Sequence, residues 1–174
     1  LSAIDFVFKP LDLNELNITL TKAVEHVKQN SENNAIISTM KYQELASLVI
    51  QDKTNNNEII QMWKQNNLPL GQDFIYYTLL IKQKYSLDNT LLLKRIIEQF
   101  GIHFLIGQTD TFYLLHLIIP KNQHSILEQL ISKLMELLQK EKENAIAVGI
   151  PVNSPLEIKD SFISARSAFE RRFY

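Results

Sequence analysis

The stretch from Gly101 to Pro120 constrains the fold more than any other part of this sequence. Two apolar runs rich in β-branched, aromatic and leucine residues, 102–106 and 112–119, flank Gly107-Gln108-Thr109-Asp110, whose residue types favour a tight reversal. This pattern predicts a β-hairpin. The second run is apolar almost without alternation, which is typical of a strand with neighbours on both edges and helices packed over it. We therefore expect the hairpin to lie at the centre of a sheet.

The elements around the hairpin predict an α+β domain. A strand at 73–82 and a helix that ends at Gly101 precede the hairpin, whereas a helix from about Pro120, a strand at 145–150 and a last helix follow it. Ser154-Pro155-Leu156-Glu157 marks the start of the last helix, because it combines a capping box with proline at the first helical position. With right-handed connections this order gives a ferredoxin-like sandwich, an antiparallel sheet with its helices on one face.

The sequence before this domain predicts a strand and then a helix. Residues 3–8 form the short strand, which Lys9-Pro10 ends because proline cannot donate a hydrogen bond to a sheet. Asp12 and Glu15 then form a capping box at the start of a helix. Apolar residues on one side of that helix are Leu13, Leu16, Leu20, Ala23, Val24 and Val27. Such an amphipathic helix needs a partner for its apolar side.

A helical linker is predicted between this helix and the α+β domain. The polar stretch 29–34 indicates a linker or a helix end, and apolar residues at helical spacing resume over 36–50. A short helix follows that contains Trp63, which we interpret as a core anchor rather than a ligand-stacking residue.

Composition excludes several classes of function. With 18 basic and 19 acidic residues the formal net charge is -1, so these residues have no electrostatic footprint for nucleic acid. Cysteine is absent, and the four histidines show no metal-ligand spacing, so we expect neither a metal site nor a cofactor. The sequence contains neither a secretory signal nor an apolar run of the ~18 residues that a membrane span needs. We therefore predict a cytoplasmic protein without a membrane partner.

The first ten residues resemble the end of a response-regulator receiver domain. The segment Ala3-Ile4-Asp5-Phe6-Val7-Phe8-Lys9-Pro10 and the helix after it match the last strand, the Lys-Pro pair and the final helix of that family. The resemblance implies that Phe6 is the switch aromatic, that Lys9 senses the phosphoryl group, and that Pro10 follows a cis peptide bond. It further implies that the phosphorylated aspartate lies upstream of Leu1, so that the sequence is a piece of a longer protein.

The C-terminal part resembles the degenerate GGDEF-like domain of AraC-type response regulators. The resemblance rests mainly on Ala147-Val148-Gly149-Ile150, on Ser154-Pro155-Leu156 and on the helical pattern from Ser161 to Tyr174. It implies three parts: the end of a receiver domain at 1–30, a helical linker at 31–71 and a GGDEF-like domain at 72–174. The DNA-binding domain of such proteins is absent from this sequence.

Departures from the catalytic GGDEF pattern predict that the chain is not an enzyme. A diguanylate cyclase needs small glycines in the hairpin and carboxylates at the turn and in the first strand, where they hold two metal ions. The matching turn is Gln108-Thr109-Asp110-Thr111-Phe112, which has one carboxylate and no paired glycines, and the strand from Phe74 to Ile81 has no aspartate.

Two hypotheses of function follow. In the first, the chain is the central regulatory part of a two-component transcription factor and forms a homodimer through its helices. A sensor histidine kinase and promoter DNA would then be partners of the missing parts. In the second, the domain is a catalytically inactive sensor that binds a nucleotide or another small ligand through Gln108, Asp110 and Arg166. Alternatively, Arg166 belongs to a solvated helix face.

Overall fold

The computed structural model describes residues 13–51, 54–82, 87–109, 111–138 and 145–172. The predicted strand at 3–8, with Phe6, lies outside the described residues, as do Lys9, Pro10 and Asp110. In the described residues the α-helices and strands are, in chain order, α1 (Leu13–Leu48), α2 (Asn56–Gln65), β1 (Phe74–Lys82), α3 (Leu87–Glu98), β2 (His103–Gln108), β3 (Tyr113–Pro120), α4 (Ile126–Leu138), β4 (Ala145–Val148) and α5 (Ile158–Arg172).

The chain divides into two compact units, 1–41 and 42–174. The part of the first unit that the structure describes, from Leu13 onward, is helical. The second unit contains the last turns of α1, the sheet and the other helices.

The sheet confirms the predicted hairpin, but only its second strand, β3, is central, because β2 lies at the edge of the described sheet. Its four described strands are all antiparallel and lie in the order β2-β3-β1-β4, so that β3 has a neighbour on each edge. In β3 every residue from Tyr113 to Ile119 is buried, as its continuous apolar sequence predicts. Gly107 lies within β2 rather than in the turn. The turn is closed by Thr109, whose amide N–H donates to the Phe112 carbonyl at 2.9 Å.

Helices cover both faces of the sheet, so the prediction of helices on one face is wrong. One face, which includes Tyr77 and Leu79 of β1, packs against α3 and α4. The alternate residues Tyr76 and Leu80 point to the opposite face, because successive side chains of a strand alternate, and there they pack against α1, α2 and α5. A strand that is covered on both faces is apolar at nearly every position, which explains why β1 and β3 show little alternation.

The segment 42–71 supplies much of the second face. Sequence analysis assigned these residues to a linker, yet its apolar side chains pack against Tyr76, Leu105 and Ile118 of the sheet. The buried members from this segment are Leu45, Ala46, Val49, Ile59, Trp63 and Leu68. The core of the second unit therefore begins well before β1.

Trp63 is a core anchor, as the sequence analysis predicts. Its side chain is fully buried, and its ring meets the ring of Tyr76 edge-on with centroids 5.8 Å apart. The indole N–H donates to the Pro69 carbonyl at 2.8 Å, and the Tyr76 hydroxyl donates to the same oxygen at 3.2 Å. Both polar ends of this aromatic pair are thereby satisfied, which burial requires.

Helix α1 continues through the polar stretch 29–34, where the sequence analysis placed a linker or a helix end. The stretch contains no glycine or proline. Asparagine and serine in a helix interior cost only a few tenths of a kcal/mol each relative to the best helix formers. Polar composition alone therefore does not end this helix.

Gly107 permits the close approach of α1 to the sheet. A Cβ atom added at Gly107 would lie 2.9 Å from the Cβ of Ala46, closer than real Cβ atoms approach one another. Ala46 is itself fully buried. Two of the smallest side chains therefore face each other where the last turns of α1 cross β2.

We predict that Gly107→Ala lowers the free energy of unfolding by about 1–3 kcal/mol, because the added methyl group overpacks this contact. Chemical denaturation of the single variants Gly107→Ala and Ala46→Gly and of the double variant measures the effect. In the double variant the methyl group has room, so its loss should be smaller than the sum of the single losses. Additive losses would contradict the assignment of the contact.

Candidate functional site

The structure describes two of the three candidate ligand residues, Gln108 and Arg166, and their surroundings differ. Gln108 is exposed at the end of β2. Arg166 is also exposed, on α5, but it lines a pocket beside the β2–β3 turn. Asp110, the third candidate, lies outside the described residues.

This pocket, which we call the α5 pocket, lies between the β2–β3 turn and α5. Its volume is about 290 Å³. The lining side chains are Leu80, Thr109, Thr111, Phe112, Phe162, Arg166, Phe169 and Glu170. Four of these residues are apolar, two are threonines and two have opposite charges.

Helical spacing explains which side chains of α5 form one wall of the pocket. Phe162, Arg166, Phe169 and Glu170 are three to four residues apart in succession or directly adjacent, so they lie on the side of the helix that faces the turn. The ring of Phe169 meets that of Phe112 edge-on, with centroids 4.7 Å apart. Leu80, which is fully buried, adds an apolar wall from β1.

The polar groups of the pocket form a weak ion pair. Arg166 Nε donates to Glu170 Oε1 at 3.0 Å, and both side chains are more than half exposed. An exposed i,i+4 pair of this kind contributes well under 1 kcal/mol to stability, so a ligand can open it at little cost. Among the described residues, Arg166 makes no other hydrogen bond and the Thr111 hydroxyl makes none.

A second polar cluster is buried under the same face of the sheet. Among the described residues, the buried polar side chains are Thr78, His116 and Ser161, and each is fully inaccessible. Thr78 and His116 are directly opposite each other on β1 and β3, and Thr78 Oγ1 lies 2.9 Å from His116 Nδ1. His116 Nε2 lies 3.0 Å from the Ala46 carbonyl of α1.

The hydrogen-bond partners assign the tautomer of His116. The Ala46 carbonyl only accepts, so Nε2 carries the proton and donates to it; Nδ1 then accepts from the Thr78 hydroxyl. Burial lowers the pKa of His116 to about 4, against the smaller opposing effect of the hydrogen bond to Ala46. The imidazole is therefore neutral at physiological pH.

Ser161 connects α5 to Thr78 of β1 through a hydrogen bond. Thr78 lies one residue before the segment of β1 that pairs with β4, and its amide N–H donates to Ser161 Oγ at 2.9 Å. The Gly149 amide donates to the Thr78 carbonyl at 2.8 Å, and a Cβ atom at Gly149 would overlap the Ser161 backbone. The missing side chain at Gly149 thus permits α5 to approach the sheet.

The geometry of this cluster is that of a structural link between elements rather than of a catalytic site. Ser161 bonds to the Thr78 backbone, whereas His116 bonds to the Thr78 side chain, so serine and histidine do not form the pair that a nucleophile requires. All three side chains are also inaccessible to a substrate. In the part of the chain that the structure describes, no group of three or more potential metal ligands comes together.

The sequence analysis did not single out His116, Thr78 or Ser161. A signal exists for the first two, because each is a polar residue inside a long apolar run, where burial requires a hydrogen-bond partner. Nothing in the sequence identifies that partner, since Ala46 contributes a backbone carbonyl.

Comparison with protein-family models, with curated proteins and with solved structures gives no match to this chain. Among the described helices, none combines the length and the apolar character required to cross a membrane.

We predict that folding stability falls as the pH decreases from about 6.5 to about 4. In that range the unfolded imidazole takes up a proton, whereas folded His116 stays neutral, so the unfolded state binds more protons. Between pH 7 and pH 4.5 this difference removes about 2–3 kcal/mol of the free energy of unfolding. Denaturant titrations across this range measure it.

The matched variants are His116→Gln, which removes the buried imidazole, and His103→Gln, which removes an exposed one on β2. The pH dependence should decrease by that amount in His116→Gln and persist in His103→Gln. An unchanged pH profile in His116→Gln would contradict the assignment.

Proposed function

We propose that this chain is the central regulatory part of a two-component response regulator, with a degenerate GGDEF-like domain of ferredoxin-like fold. The order strand, helix, strand, strand, helix, strand from Phe74 to Val148 supports the ferredoxin-like assignment, since it is the element order of that motif. The resemblance of Phe6, Lys9 and Pro10 to receiver residues supports the proposal from the sequence alone. In this proposal the chain regulates transcription through a DNA-binding domain of AraC type and has no enzymatic activity of its own.

The observation that carries this proposal is the hydrogen bond from His116 to the Ala46 carbonyl. A regulatory relay needs a helix that is held firmly by the domain it acts on. The last turns of α1 meet this need, because their backbone is bonded to the central strand and Ala46 packs against Gly107. Any movement of these turns acts directly on the middle of the sheet.

The residues at the positions that are catalytic in an active diguanylate cyclase support a regulatory rather than an enzymatic role. The strand β1 contains no aspartate or glutamate that would hold a metal ion. At the hairpin turn, Gln108 and Thr109 stand where a cyclase has small residues.

Dimerisation through α1 is part of the same proposal. Leu20 and Val24 lie four residues apart on one side of the helix, and 54% and 67% of their surfaces are exposed. Leu16, on the same side, is half-buried. An exposed apolar stripe on a long helix is typical of a surface that pairs with a second copy.

We expect the protein to be a dimer in sedimentation equilibrium, and the double substitution Leu20→Lys with Val24→Lys to make it monomeric. Burying unpaired ammonium groups costs about 3 kcal/mol or more, which raises the dissociation constant roughly a hundredfold or more. Ile18→Lys is the matched control. It replaces an equally exposed apolar residue on the opposite side of α1, since two residues turn a helix by about 200°. A wild-type monomer at high concentration, or dissociation by Ile18→Lys alone, would refute this interface.

The coding sequence on both sides of this chain tests the regulator assignment itself. The proposal requires an aspartate-bearing receiver sequence before Leu1 and two helix-turn-helix units after Tyr174. A flanking sequence that encodes neither would remove the assignment, whatever the oligomeric state.

The α5 pocket favours a second candidate function, that of a small-ligand sensor. A concave site with apolar walls and a few polar groups at its edge is the usual form of a ligand site. Thermal unfolding in the presence of nucleotides and other small molecules tests this function, because a ligand of the folded state raises the unfolding midpoint. The absence of a shift with every class at millimolar concentration would reject it.

A further inference from the structure

We infer that the α5 pocket binds a small zwitterion with an apolar body, of which an apolar α-amino acid is the simplest class. This inference rests on the second candidate function, the ligand sensor, and is independent of the regulator assignment. It depends on three observations, namely the size of the pocket, its apolar walls and the pair of opposite charges at its edge.

The size of the pocket favours a molecule smaller than a nucleotide. Its volume of about 290 Å³ lies just below the range for sites that enclose drug-sized ligands, ~300–1,000 Å³. A base, a ribose and a chain of phosphates would extend well beyond the lining residues. An amino acid with a leucine or phenylalanine side chain is of a size that such a pocket encloses.

The walls of the pocket are suited to an apolar body. Leu80 and Phe169 are buried, and Phe112 and Phe162 are half-buried, so together they present aliphatic and aromatic surface to the cavity. Removing an apolar side chain from water against these walls favours binding. An aromatic side chain gains further from edge-to-face contact with phenylalanine rings.

The charges at the edge of the pocket are suited to a zwitterionic head. Among the described residues Arg166 bonds only Glu170 Oε1, through Nε, so its two terminal amino groups can bond a ligand carboxylate in a bidentate arrangement. Glu170 makes no second hydrogen bond within the part of the chain that the structure describes, so its other carboxylate oxygen can accept one from a ligand ammonium group. A purely anionic ligand would instead meet the negative charge of Glu170, which disfavours nucleotides.

Thr111 supplies a further polar group. Its side chain is exposed on the turn, lines the pocket and makes no hydrogen bond among the described residues. Because its hydroxyl both donates and accepts, it can bond either end of the zwitterionic head.

The test is isothermal titration calorimetry of the whole chain with L-phenylalanine, L-leucine and L-isoleucine. Two analogues of phenylalanine separate the contributions of the head group: phenethylamine lacks the carboxylate and hydrocinnamate lacks the ammonium group. GTP is the nucleotide probe. We expect at least one amino acid to bind at least tenfold more tightly than both analogues and GTP.

Variants then locate the binding. Arg166→Gln should weaken binding of that amino acid at least tenfold, whereas Arg171→Gln, on the same helix but outside the pocket lining, should leave it unchanged. Thr111→Trp fills the pocket from an exposed position without making a cavity in the core, and should abolish binding. Circular dichroism confirms that each variant is folded.

Each outcome distinguishes the ligand class from the sensor function. Binding of GTP without binding of an amino acid would overturn the zwitterion assignment and leave the sensor function standing. Equal binding by the analogues would overturn the role of the charge pair. Amino-acid binding that persists in Arg166→Gln and Thr111→Trp would overturn the pocket assignment, and the absence of binding by every probe would overturn the inference entirely.

Discussion

The hydrogen bonds of His116 are the constraint on which the second face of the sheet depends. A fully buried imidazole in the central strand requires partners for both of its nitrogens, because an unsatisfied buried polar group costs about 1–3 kcal/mol. The Thr78 hydroxyl, on the neighbouring strand, donates to Nδ1, and the Ala46 carbonyl accepts from Nε2. The second partner belongs to α1, so the last turns of α1 must lie against the sheet at this one position.

Small residues allow α1 and α5 to come close to the sheet around His116 and Thr78. The absence of a side chain at Gly107 brings Ala46 close to β2, and its absence at Gly149 brings α5 close to β1. Ser161 of α5 then satisfies the amide of Thr78, so that both helices are attached to adjacent points of the central strands. The α5 pocket uses the same elements, since Leu80 is two residues beyond Thr78 on β1 and Phe162 directly follows Ser161. A ligand in the pocket would therefore contact β1 and α5, which carry Thr78 and Ser161 of this network.

Local sequence patterns predicted the elements well where the relevant forces are local. The hairpin, the last helix and the core position of Trp63 follow from residue types at short spacing, and the structure confirms each of them. The polar stretch 29–34 was misleading, because helix propensity differs too little among polar residues to end a helix without glycine or proline. Of the two candidate ligand residues that the structure describes, Arg166 lines the α5 pocket and Gln108 is not part of that lining. Sequence alone did not separate them, because which side chains face a pocket depends on the packing of α5 against the turn.

By itself, the sequence determined that the chain forms an antiparallel sheet with a fully buried central strand, since a continuous apolar run with a turn at one end has few other stable arrangements. Only the tertiary structure decided which elements cover each face of the sheet. That outcome depends on contacts between residues far apart in the chain: the bond from His116 to a carbonyl of α1, the fit of Ala46 against Gly107, and the packing of α5 beside the turn. A backbone carbonyl has no signature in a sequence, and a fit between two small residues is visible only when both elements are in place.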